Sequence, residues 1–377
     1  MITPGNSDHI NRSGRYRPSA IFLVLWAVFN LSPLEGIAQK TPDTDPLDVK
    51  VSPEFSAIAQ ALEIDHYNLA LELLSKLSSN AVKAKDKSLH QEALAATKEV
   101  NRLKREFAKI RNFSEKVKKK TNDPRAYKEV GNFYCAEKGD WGKGLLLLSQ
   151  TDDPDLKQTA RDDLDQPESP SGQAKLADTW WELAKKAKRG VRKAYQLRGR
   201  YWYLKARPGL PINERIAREK KLRQIVLEAD KIVIWNQHNG TRLDRGTVEC
   251  VVTLRSKGKS VWRQVVRLPW NPDSPAGVVL RPPRVRFDQV RVDITKYRGN
   301  GGGLAEIEVF DRNINLTHNS SAVAMEYLND DGRFLPSNVI DGNISGDSGI
   351  WLLENGRKGW VLVDMVNDLQ QPGPIGK

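Results

Sequence analysis

Two incompatible hydrophobic periods divide this chain near residue 230. Before that point apolar residues recur three to four positions apart. Ile58, Ala61 and Leu62 begin the pattern, Tyr67, Leu71 and Leu74 continue it, and Val100, Leu103, Phe107 and Ile110 extend it, with many Lys and Glu between. That spacing lines one face of a helix. After residue 230 the apolar runs are short or alternating, as in 278–280, 285–287 and 290–294. Asn239-Gly240, Lys257-Gly258 and the glycine-rich 299–303 punctuate them. Short strands at regular spacing between turn residues suggest a sandwich of antiparallel strands. One segment cannot satisfy both periods, and 377 residues suffice for two folded units. The expected fold is therefore a multidomain α plus β chain, with α-helical hairpin repeats first and an antiparallel β-sandwich second.

Within the helical part, residues 124–134 suggest one helix, and Gly139-Asp140-Trp141 a turn into its partner. Asp153-Pro154 opens the next helix. Residues 174–184 and the stretch around Tyr195, Tyr201, Trp202 and Tyr203 suggest a further pair. The alternation of small and large side chains resembles tetratricopeptide repeats, in which each hairpin buries a face on the next. That resemblance implies binding of peptides or proteins. Trp180, Trp181, Tyr201, Trp202 and Tyr203 are expected in the core. The basic stretches 104–128 and 185–223 are expected as solvated helix faces or as a patch for an anionic polymer.

The strands carry a second resemblance. Ile232-Val233-Ile234-Trp235-Asn236, Ser260-Val261-Trp262-Arg263, Val290-Arg291-Val292-Asp293-Ile294 and Ala305-Glu306-Ile307-Glu308-Val309-Phe310 are similar to the later strands of the discoidin family. This is the coagulation factor 5/8 type C, or galactose-binding-like, jelly roll. Asn315-Leu316, Asn338-Val339-Ile340-Asp341-Gly342-Asn343, Trp351 and Trp360-Val361-Leu362-Val363-Asp364 are similar to its opening strands and turn. The two pieces stand in swapped order. Either the domain is circularly permuted, with Asp311-Arg312-Asn313 joining the old termini, or the chain holds parts of two tandem domains. Each expected strand appears once, which favours permutation. Domains whose termini lie close together tolerate it.

The resemblance implies non-catalytic adhesion to a cell-surface or extracellular carbohydrate. It also implies a structural calcium ion near the Asp-Gly-Asn turn. Asp341 and Glu306 would supply carboxylates, Asn338, Asn343 and Ala305 backbone oxygens, and Ser345 a further oxygen. A hard cation takes several oxygens, and the glycine lets the loop curl around it. The longer insert at residues 344–349 departs from the family pattern. Ligand loops would carry Gln237, His238 and Arg242, then Tyr327, Arg333 and Phe334, with Trp270 beside them. Aromatic faces, planar amides and Arg forks suit a sugar. Gln237 stands where the family often has Arg.

The net charge of +13 favours an anionic partner. Arg12, Arg15 and Arg17 precede an apolar run over residues 20–31, followed by small Gly36 and Ala38, the layout of a secretory signal peptide or an uncleaved anchor. Export points the basic charge toward an acidic glycan or envelope surface, secreted or periplasmic, rather than nucleic acid. With two cysteines, Cys135 and Cys250, in different parts of the chain, no disulfide framework is expected. His-Glu-x-x-His, Gly-x-Ser-x-Gly and phosphate-loop motifs are absent from the sequence. The expected organisation is a signal peptide at 1–38, a linker at 39–53, the helical part at 54–229, the jelly roll at 230–366 and a flexible tail at 367–377. An alternative function is an envelope assembly factor that binds proteins through the helical repeats.

Overall fold

The computed structural model describes residues 53–273, 275–328, 332–345 and 349–366. The expected leader, most of the linker and the tail lie outside these residues. Among the described residues no helix is long and apolar enough to cross a membrane.

Nine α-helices occupy the described N-terminal half. They are α1 (Pro53–Glu63), α2 (Tyr67–Lys83), α3 (Lys87–Lys118), α4 (Pro124–Phe133), α5 (Trp141–Leu148), α6 (Pro154–Leu164), α7 (Pro170–Lys186), α8 (Arg189–Ala206) and α9 (Ile212–Arg223). Local chemistry sets their starts. Asp123, Asp153 and Ser169 each accept a hydrogen bond from a first-turn amide, and Pro124, Pro154 and Pro170 follow them. Proline at the first helical position gives up an N–H that has no intrahelical partner. Helix α4 runs into a π-helical turn at Tyr134–Lys138, and Gly139 ends it in the left-handed conformation at φ 68°. Asp140 then caps α5.

The C-terminal half is antiparallel β. Its strands are β1 (Glu228–Ala229), β2 (Lys231–Trp235), β3 (Arg245–Ser256), β4 (Lys259–Arg267), β5 (Gly277–Leu280), β6 (Val285–Arg286) and β7 (Gln289–Gly299). The remaining six are β8 (Gly303–Leu304), β9 (Glu306–Asp311), β10 (Ile314–Asn315), β11 (Ser321–Ala324), β12 (Trp351–Leu352) and β13 (Trp360–Asp364). One sheet has the order β11-β13-β7-β3-β4 and another β10-β9-β2-β5. Strands from both sequence pieces therefore share each of these sheets, meeting at β13–β7 in one and at β10–β9 in the other. Val361 pairs with Val292, and Trp351 of β12 with Leu304 of β8. The join at Asp311 is a tight hairpin in which Ile314 pairs back to Asp311.

Alternation places Val252, Leu254, Val290, Val292, Val361 and Val363 of the larger sheet in one core with Ile232, Ile234, Ile307 and Val309 of the smaller. The same core continues into Leu156, Trp180, Trp202 and Tyr203 of the helices. Of the expected aromatic core, Trp180, Trp181, Trp202 and Tyr203 are buried against helices and sheets together, and Tyr201 is half-buried at its edge. Cys135 and Cys250 are free and buried.

Polar contacts pin the two halves. Arg200 of α8, 2 % exposed, donates to the Met365 carbonyl at 2.7 Å, the Leu316 carbonyl at 2.8 Å and Ser320 Oγ at 2.9 Å. Arg312 pairs with Glu137 at 2.9 Å, and the Asn313 side chain donates to the Glu137 carbonyl at 2.8 Å. A Cβ on Gly139 would meet the Asn313 carbonyl oxygen at 2.2 Å, so the join needs glycine there.

Candidate functional site

Strand β9 carries Glu306, which pairs in register with Trp235 of β2. A strand written Glu-Ile-Glu-Val is expected to turn its carboxylates to water. The fold does otherwise, burying all six residues of β9. Glu308 settles into partners, accepting Trp235 Nε1 at 2.9 Å and the Asn315 amide at 3.2 Å. Glu306 is only half satisfied: its Oε2 accepts the Gly342 N–H at 3.2 Å, and its Oε1 is buried without a protein partner. Burial first, then the nearby Glu308 and Asp341 carboxylates, push its carboxyl well above the ordinary range.

The loop over Glu306 follows a short 3-10 turn, Pro336–Ile340. Asp341 Oδ1 accepts the Asn343 N–H at 2.7 Å, and Asn343 Oδ1 accepts the Ser345 N–H at 3.0 Å. Two successive Asx turns wind the backbone into a coil. Gly342 supports it at φ 84°. The chain returns at Gly349, where a Cβ would stand 2.8 Å from Asp341 Oδ2. His238 Nε2 reaches the Ser345 carbonyl at 3.0 Å, tying the loop to the end of β2. Asn338 donates to the Arg333 carbonyl at 2.6 Å and the Ile350 carbonyl at 3.0 Å. Ala305 is fully buried next to Glu306 and donates its N–H to the Trp235 carbonyl at 3.0 Å.

Of the expected cation ligands, the fold places Asp341, Asn343 and Ser345 along one coil over Glu306 of β9, with Ala305 beside Glu306 and Asn338 bracing the coil. Among the described residues no group of three or more His, Cys, Asp and Glu converges. A cation here would rest on two carboxylates, the remaining ligands being neutral oxygens. The orphaned Glu306 oxygen fits that demand, since a cation would offset the burial that disfavours the charged carboxylate.

The expected sugar contacts divide. Phe334 is half-buried against the small core that includes Val233, Trp235 and Ile350, and the exposed Arg333 holds its guanidinium 5.8 Å from that ring. With Asn338 bonded to Arg333, these three residues stand together. His238 joins the coil through Ser345. Gln237 is 1 % exposed with neither amide atom paired to protein, so it does not face solvent. Tyr327 packs on the main core, and Arg242 is exposed on a separate turn, Gly240–Arg242. Trp270 donates to the Arg245 carbonyl at 3.1 Å, and Arg298 covers its ring at 3.5 Å. Arg245 itself is buried, bonded to the Leu353 carbonyl and Asn355.

Sequence reasoning missed the buried cation beside Glu308. Lys231, 4 % exposed, lies 3.6 Å from the Phe310 ring centre, and burial pulls its amine down to about 7. An isolated Lys at a strand start gives no sign of this. Comparison with family models, with curated proteins and with solved structures finds no match for the chain.

Proposed function

We propose that the chain is an exported, non-catalytic carbohydrate-binding protein whose sheets form a permuted discoidin-like jelly roll on a helical scaffold. The observation that carries this reading is the cluster of Phe334, Arg333 and Asn338 beside the coil over Glu306. It joins an aromatic ring and a guanidinium, the groups that grip a sugar's apolar face and its hydroxyls, and Asn338 braces them through the Arg333 carbonyl. The pairing of strands from both sequence pieces within each sheet supports permutation over a truncated tandem.

Calcium would be held by Glu306 and Asp341 with oxygens of Ala305, Asn338, Asn343 and Ser345. It would supply charge neutralisation. These residues orient the loop that carries Phe334, and the net charge of +13 favours an acidic glycan. The test is a glycan array probed with the full chain in calcium, followed by titration of any sugar retained. Phe334→Ala and Arg333→Ala are each expected to weaken binding about tenfold, roughly the worth of one stacked or charge-assisted contact. Retention of no glycan, or unchanged affinity in both variants, rejects the reading.

A further inference from the structure

The helices carry a second surface, far in sequence from the loop end. A groove of about 400 Å³ lies where α7 and α8 meet the end of α9. Trp181, Ala184 and Ile225 make its apolar lining. Lys185, Arg192 and Lys221 supply cations, and no carboxylate lines it. Gln224 also borders a second groove, of about 620 Å³, beside Ile216, Lys220 and Arg223. Helix α9 stands between the two.

That helix is weakly buried for its length. Leu222 is its one buried residue. Ile212 is 76 % exposed, Ile216 65 %, and Val226 just beyond 42 %. Ile212 and Ile216 are four residues apart and share a face. Ion pairs hold the helix in place, Arg218 with Asp178 at 2.8 Å and Arg207 with Glu219 at 3.1 Å. Arg192 donates to the Ala187 carbonyl at 3.1 Å, and Lys185 and Lys221 are ion-paired, with Glu182 at 2.7 Å and Asp178 at 3.1 Å. Both pairs are solvent-accessible and therefore weak enough to exchange for a ligand's carboxylates.

We propose that this surface takes an acidic protein segment bearing aliphatic residues. Its carboxylates would enter the groove at Lys185, Arg192 and Lys221, and its aliphatic side chains would cover Ile212 and Ile216. A lipid surface is the poorer fit, because membrane-lying helices set their cations along the flanks of a broad apolar face. Here the cations line a concavity. A glycan alone leaves the isoleucines in water. The proposal does not depend on the sugar reading.

The test uses the full chain and a fluorescein-labelled synthetic peptide of Glu, Leu and Ile, followed by anisotropy. A peptide with Lys in place of Glu is the control, and phosphatidylglycerol vesicles and a heparin oligosaccharide are competing probes. The expected result is binding of the acidic peptide only, weakened about tenfold in Arg192→Glu/Lys221→Glu and again in Ile212→Ser/Ile216→Ser. The isoleucine pair is so exposed that its variant keeps the fold and carries the test if the charge variant does not. Equal binding by the Ile212→Ser/Ile216→Ser variant, or no binding of the acidic peptide, overturns the proposal. So does binding of vesicles or heparin in place of the peptide, which assigns the surface to lipid or to glycan.

Discussion

Glu306 concentrates the account at the scale of one residue. Its carboxyl is buried, half-bonded and faced by two other carboxylates, so its folded pKa is raised. A raised folded value means that the native state holds the proton more tightly than the unfolded chain does. The associated stability is complete below the ordinary Glu range of about 4.3 and is lost as pH rises through the folded value. In chelator, the melting temperature of the wild type relative to Glu306→Gln is therefore expected to fall as pH is raised from 4 to 8. Melting curves at a series of pH values check this, and a constant difference contradicts it. The sequence named Glu306 through its neighbours in the strand, but not its environment. An alternating strand specifies that one face is buried. It does not specify that the loop following Pro336–Ile340 will cover the other. The same gap explains Gln237, which is polar in sequence and 1 % exposed in the fold.

At the scale of elements, most of what the chain builds was legible. Asp-Pro and Ser-Pro steps mark helix starts because both residues act within one turn. Lys257-Gly258 marks the β3–β4 hairpin because both residues adopt positive φ, 50° and 76°. The match to regular repeats is looser, since α3 runs to 32 residues. Close packing is legible only after the partners are known. A Cβ on Gly144 would stand 2.3 Å from Cys135 Sγ and 3.0 Å from the Gly131 carbonyl, so α5 presses on the π turn that ends α4. Gly144→Ala is expected to destabilise the protein by about 2 kcal/mol, the cost of overpacking a tight contact. Urea unfolding measures it. An alanine that is neutral or stabilising, as helix propensity alone demands, would show that the contact gives way.

The whole molecule is least legible in the sequence, because its two periods suggest two independent cores. The structure instead runs one core from Leu156 through Trp180 to Val292 and Val363. Arg200 is the polar counterpart of that continuity. Burial pulls its guanidinium down to about 10, so it is still charged at neutral pH, and it bonds two backbone carbonyls from the second sequence piece. Arg200→Ala is expected to cost about 3–5 kcal/mol by stranding buried carbonyl acceptors. Arg200→Lys should recover little, since one ammonium cannot span the same acceptors. Equilibrium denaturation checks both, and full recovery by lysine contradicts the forked geometry.

A cation seated at Glu306 and Asp341 would hold the loop end where a sugar would bind. Thermal unfolding of the full chain in calcium and in chelator tests it most directly. Calcium at a hundredfold excess over its dissociation constant contributes about 2.7 kcal/mol to the folded state. For a chain of 377 residues that is a rise of about 3–4 °C. The account predicts one cooperative transition that rises by this much in calcium, with no rise in Glu306→Gln. The same melting temperature in calcium and in chelator would contradict it.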